Sequence, residues 1–199
     1  MRKFSDICES VWMDIHKQSN GDSFKKEDQG VIDLMNEFIQ RHNLKEGEYK
    51  INGNLTLDVY QSLRITEDDL VDGLLPFQFG EVDGDFDVSH LDLNSFENSP
   101  REVAGLYNAV YNIVKDLTGC PQTVGENFNV GFNANLRTLD GSPDKVGGDY
   151  KIYGAITHLS DIKGISKEIQ GNLIIEKRCR FSDEDFRRYS NIQGDILRK

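Results

Sequence analysis

The sequence predicts an α/β solenoid: a stack of short coils with parallel strands, preceded by a helical pair and closed by a helical cap. Three observations carry this expectation. A pattern aliphatic-x-Gly-x-(Leu/Phe/Tyr)-x-apolar recurs at six places. A Pro-containing turn recurs in the same phase. Helical periodicity is confined to the two ends of the chain.

The N-terminal helical region is expected over residues 1–47. Ser5 is placed to cap a first helix whose stripe is Ile7, Val11 and Ile15, widened by Cys8 and Trp12, ending near Gly21. A second helix starts around residues 23–26 and runs through Val31, Leu34, Met35, Phe38 and Ile39 to His42. From Glu48 the period drops to two, with Tyr49 and Ile51, then Leu55, Leu57 and Val59 alternating as strands do. Thr66 to Leu75 (residues 66–75) is expected as an insertion, with Thr66 capping a turn and Asp69 at the reciprocal position.

The solenoid proper is expected over residues 48–176. Copies of the pattern start at Ile51, Val82, Val103, Val124, Val146 and Ile169, separated by 31, 21, 21, 22 and 23 residues. Pro100, Pro121 and Pro143 each fall three residues before the aliphatic position, and Leu117, Leu139 and Leu159 close the stretches before the turns. One coil of this length cannot bury its own apolar side, so coils must stack and share a core. Phe86 and Val88, Phe128 and Val130, Tyr150 and Ile152, and Leu173 and Ile175 are the residues expected to point inward.

The run Leu139-Asp140-Gly141-Ser142-Pro143-Asp144-Lys145-Val146-Gly147-Gly148-Asp149-Tyr150-Lys151-Ile152, with Phe128-Asn129-Val130-Gly131-Phe132-Asn133, resembles the short-period, Pro-containing leucine-rich repeat of bacteria and their phages. The resemblance covers residues 79–176 and implies a curved, irregular leucine-rich-repeat-like solenoid, with parallel strands on its concave side and protein binding as its usual use. Ala155 stands where the repeat asparagine is due after Tyr150, and aromatics replace several leucines, so a β-solenoid with shorter faces fits the same period. Residues 12–21 with Lys26-Glu27-Asp28 are similar to the opening of uncharacterised phage and bacterial proteins, which implies no activity.

The C-terminal helical cap is expected over residues 177–199. Ser182 precedes an acidic first turn, Asp183-Glu184-Asp185, and Arg187-Arg188 follow, matching the helix dipole. Residues 192–199 are expected to continue this cap or to fray; the alternative is that the exposed last strand pairs with a second copy, giving a homo-oligomer.

Charge and cysteine usage narrow the function classes. The net charge is −11, yet residues 51–100 carry eleven acidic groups against one basic, while residues 151–199 carry ten basic against seven acidic. A basic protein partner at the first coils is therefore favoured, and direct nucleic-acid binding, which needs a basic stripe, is disfavoured. Cys8, Cys120 and Cys179 match neither a disulfide framework nor a zinc site. The absence of a long apolar run or a signal-peptide segment points to a soluble, cytoplasmic protein, in the host cytoplasm if it is phage-encoded.

The expected binding surface consists of the outward strand residues. They fall in three columns: Asp85, Leu106, Asn127, Asp149 and Asn172; then Asp87, Asn108, Asn129, Lys151 and Ile174; then Ser89, Val110, Gly131, Tyr153 and Glu176. From these, with Asp83, the candidate partner-binding residues are Asp83, Asp85, Asp87, Ser89, Asn108, Asn127, Asn129, Asp149, Lys151, Tyr153, Ile174 and Glu176. Asp83-Gly84-Asp85-Phe86-Asp87 lacks the Asp-x-Asp-x-Asp-Gly order and closing Glu of a calcium loop, so no metal is assigned. His16, His42, His90 and His158 are far apart in sequence, and no catalytic residue or cofactor is assigned. The expected function is a non-enzymatic interaction module that inhibits or redirects a host factor. A self-associating virion component is the alternative, and an enzyme using face carboxylates a third reading that needs a deep pocket.

Overall fold

The computed structural model describes residues 28–154 and 159–199. The first expected helix, the start of the second, Ala155 and His158 lie outside the described residues. Helix α1 (Gln29–Arg41) buries Ile32, Met35, Phe38 and Ile39, the stripe its periodicity requires. Phe38 sets this stripe against the first coil, with ring centroids 5.5 Å from Phe77 and 5.4 Å from Phe79. Beside it, the Asp69 carboxylate accepts from Thr66 N and Oγ1 at 2.8 Å each, and from Arg41 at 2.8 Å. The expected Thr66 cap thus closes a single 3-10 turn, Glu67–Asp69, and its acid also ties down the end of α1.

The solenoid carries two short strands per coil, where one was expected. The aliphatic position forms the first strand and the aromatic or Leu position the second. The eight-stranded sheet runs β1 (Tyr49–Ile51), β2 (Leu57–Val59), β4 (Phe79–Val82), β6 (Glu102–Val103), β8 (Thr123–Val124), β10 (Lys145–Val146), β12 (Glu168–Ile169), β14 (Asn191–Ile192). The seven-stranded sheet stacks β3 (Leu63–Arg64), β5 (Phe86–Asp87), β7 (Tyr107–Asn108), β9 (Phe128–Asn129), β11 (Tyr150–Ile152), β13 (Leu173–Ile175) and β15 (Ile196–Arg198). Every pair is parallel except β1–β2.

This register revises three expectations. The stretch Ile51–Leu57 is not a coil: β1 and β2 pair antiparallel, and Leu55 turns the hairpin with φ 60°. The first coil starts instead at Val59, 23 residues before Val82, so residues 66–75 are simply its third side and no insertion is needed. The C-terminal helix α2 (Asp183–Tyr189) forms with its Ser182–Asp185 capping box, but it lies on the third side of a coil. After it, Ile192-Gln193-Gly194-Asp195-Ile196 adds a further copy of the repeat, and β14 and β15 extend both sheets. Seven strand pairs, whose first strands end at Val59, Val82, Val103, Val124, Val146, Ile169 and Ile192, therefore bound six turns.

The core is a set of columns. All eight residues expected inside are buried, and Phe86, Tyr107, Phe128 and Tyr150 run through it with successive centroids 5.9, 5.5 and 5.0 Å apart. Phe96, Leu117, Leu139 and Ile162 form the column before the turns, so Ile162 takes the place expected of Leu159. The turns are locked from inside, with Ser99 Oγ 3.0 Å from Tyr107 OH and Ser142 Oγ 2.8 Å from Tyr150 OH. Between the sheets the coils approach so closely that a Cβ on Gly171 would lie 2.6 Å from the carbonyl of Gly148. At the far end Arg187 donates to the carbonyls of Ile192 (2.6 Å) and Gly194 (3.0 Å), occupying acceptors that another strand would use.

Candidate functional site

The corner that leaves the seven-stranded sheet carries the most unusual local structure. Tyr107-Asn108-Ala109 forms and follows a strand, two residues turn outward, and a buried asparagine closes the bend. Asn112 Nδ2 donates to the carbonyls of Ala109 (3.2 Å) and Val88 (2.9 Å), and its Oδ1 accepts from Leu93 N (2.9 Å). One coil on, Asn133 repeats the arrangement, donating to Val130 (2.8 Å) and Ala109 (3.0 Å) and accepting from Asn112 N (2.8 Å). Tyr111 and Phe132, immediately before these buried amides, lie in the left-handed region with φ 57° each, and His90, one coil earlier and followed by Leu91, shares it with φ 60°.

That conformation costs a residue with a Cβ roughly 1–2 kcal/mol. Glycine relieves it at the matching place in the next coil, Gly154, with φ 80°. The three earlier coils hold rings there instead. His90 stacks on Tyr111 at 4.4 Å and 19°, Tyr111 on Phe132 at 4.6 Å and 7°, and Phe132 meets Tyr153 edgewise at 5.6 Å. Phe132 leans across Gly154, where an added Cβ would collide with its ring. Lys199 Nζ closes the row 5.8 Å from the Tyr153 centroid.

His90 and Tyr111 are exposed, and Phe132 and Tyr153 half-buried. Tyr111 and its neighbour Ile113 are 45% and 46% exposed, and with His90, Asp92, Phe132 and Asn135 they border a shallow depression of about 340 Å³. An exposed aromatic centre with a polar rim is the composition of a protein-docking patch. The sequence carries this row as His90, Tyr111 and Phe132, each 21 residues apart, one residue beyond the outward column of Ser89, Val110 and Gly131.

The expected face residues divide into distinct roles. Asp83 is exposed at the corner between the sheets. Asp85, Asn127 and Asp149 lend a side-chain oxygen to the next coil, accepting from Leu106 N, Asp149 N and Asn172 N at 2.8 Å each. Asp87 accepts from Ser89 N (2.9 Å) and Asn108 Nδ2 (3.1 Å), while Asn129 turns back to Gly131 N at 3.3 Å. Lys151 lies 3.9 Å from Asp149, and Glu176 accepts from Gly154 N at 2.9 Å. Ser89 and Ile174 are 7% and 4% exposed and present no surface: Ser89 is tucked under the corner, and Ile174 lies on the strand between Lys151 and Leu197. Tyr153 alone of the expected set joins the aromatic row.

Burial pushes the Tyr107 phenol and the Cys120 thiol well above their ordinary values, so Cys120 is held as a thiol beneath a turn. Burial also raises Tyr60, helped by the carboxylates of Asp58, Glu81 and Asp83. Among the described residues no group of three or more His, Cys, Asp and Glu could hold a metal, and no helix is long and apolar enough to cross a membrane.

The fold and this corner define a class: a two-sheet parallel β-solenoid with a strained aromatic row on one edge. Comparison of the chain with protein-family models, with curated proteins and with solved structures finds no match to any of them.

Proposed function

We propose that the protein is a non-enzymatic interaction module whose partner docks on the His90–Tyr111–Phe132–Tyr153 row. The observation that supports this reading is the retention of three ringed residues in a left-handed backbone that glycine adopts without cost, on a surface where their rings are not buried by the fold. Strain kept at an exposed site is characteristic of functional positions.

The rim suggests the partner's charge. Asp87 and Asp92 flank the His90 end, beside the acidic first coils, and a basic protein surface complements them. In the leucine-rich-repeat-like reading, such a partner is a host factor that binding inhibits or redirects. A photocrosslinking residue at Ile113 tests the site. The expected result is one predominant crosslinked protein from Ile113 and none from Gln170 on the other sheet; equal yields from both positions contradict it.

A further inference from the structure

A second surface, independent of the aromatic row, differs from it in composition. The β1–β2 hairpin, which is the end of the eight-stranded sheet, walls one side of a groove of about 1120 Å³ that runs on over the next coils. That exceeds the roughly 300–1,000 Å³ usual for small-molecule pockets and leaves room for a short chain. The wall supplies Lys50, Asn52, Asn54 and Thr56, and the floor Asp58, Tyr60, Glu81 and Arg101.

Two cations, Lys50 and Arg101, face three carboxylates, Asp58, Glu81 and Glu97, and Arg101 is already held by Glu81 (3.0 Å) and Glu102 (3.3 Å). A polyanion or strongly cationic chain therefore gains little from this groove. Of the five amides in the lining, Asn52, Gln78 and Asn98 are held by protein groups, which leaves Asn54 and Gln122 to donate and accept. Among the described residues, Asn54 Nδ2 and the Gln122 amide have no protein partner, while Asn54 Oδ1 holds Thr56 Oγ1 at 3.0 Å. The main exposed apolar surface is the Tyr60 ring, 44% exposed. A protein interface of this size needs a larger apolar centre.

We propose that this groove binds a neutral, hydroxyl-rich chain, an oligosaccharide. One sugar's C–H face lies on Tyr60, and hydroxyl groups exchange hydrogen bonds with Asn54, Gln122 and the floor carboxylates. Tyr60 stays protonated beside Asp58, Glu81 and Asp83, which keeps its hydroxyl a donor.

Native affinity electrophoresis of the full chain tests the proposal, in gels containing laminarin, hydroxyethyl cellulose, soluble starch, galactomannan or xylan, with a separate polylysine arm. Retardation by at least one polysaccharide is expected, weakened about tenfold or more by Tyr60→Ala and by Gln122→Ala. Both residues are exposed, so melting temperatures should be unchanged, and Tyr111→Gly should still bind. Unaltered mobility in all five gels, or retardation that survives both substitutions, overturns the proposal. A Tyr60-dependent shift with polylysine alone also overturns it, by assigning the groove to a cationic peptide.

Discussion

Asn133 Oδ1 accepts the backbone N–H of Asn112 at 2.8 Å, so the side chain of one coil closes the bend of the coil before it. The same amide donates to Ala109 and Val130, leaving it fully engaged and 0% exposed. The Tyr111 and Phe132 rings lie immediately before these two asparagines, so the buried amides set the spacing of the exposed row.

Asn133→Ala should destabilise the fold by about 3 kcal/mol, because it orphans a buried N–H and removes donors from two buried carbonyls. Urea unfolding followed by circular dichroism measures this. A loss below about 0.5 kcal/mol would show that the amide is not holding the bend.

Substitutions at Tyr111 should reverse the usual order of alanine and glycine. With φ at 57°, Tyr111→Gly should be more stable than Tyr111→Ala by roughly 1 kcal/mol. Equal stabilities, or alanine the more stable, would mean that the left-handed backbone carries no strain.

Gly171→Ala should cost more than 2 kcal/mol, since the new methyl meets the Gly148 backbone of the preceding coil, which cannot rotate away. Gly30→Ala on α1, whose Cβ meets nothing within 4 Å, should instead stabilise the protein slightly. Thermal melts of the two variants should move in opposite directions.

Acid should loosen the join between α1 and the solenoid. Burial by itself would raise Asp69, but hydrogen bonds from Arg41 and Thr66 and the nearness of His42 outweigh it and hold the carboxyl below its ordinary value. A lowered folded value adds stability at pH above the unfolded value of about 4, and this is lost as pH falls through the folded value. Wild-type stability should therefore fall more steeply below about pH 4 than that of Asp69→Asn, whose stability is lower throughout the neutral range. Parallel acid limbs would rule this ion pair out as the source.

Much of the architecture was legible because a solenoid repeats its demands: each coil needs an inward aromatic or aliphatic residue, a close-approach glycine and a turn. Two departures have physical causes. The Ile51–Leu57 stretch has the right spacing but ends in a hairpin, because Leu55 takes the left-handed backbone that closes it. The Ile192 copy follows a helix, and helical signals around Phe186 mask the return to strands. The exposed row was harder to find. Backbone strain leaves no compositional mark when Tyr and Phe occupy a position that glycine would ordinarily signal, and the face acids that stood out, Asp85 and Asp149, turn out to join one coil to the next.

The docking role of the row is tested most directly by partner binding to Tyr111→Gly/Phe132→Gly. Both substitutions suit the local backbone, so the fold should persist with a circular dichroism spectrum matching wild type. The protein crosslinked through Ile113 is expected to bind wild type and to fail to bind this variant. Retention of that partner with unchanged affinity would contradict it.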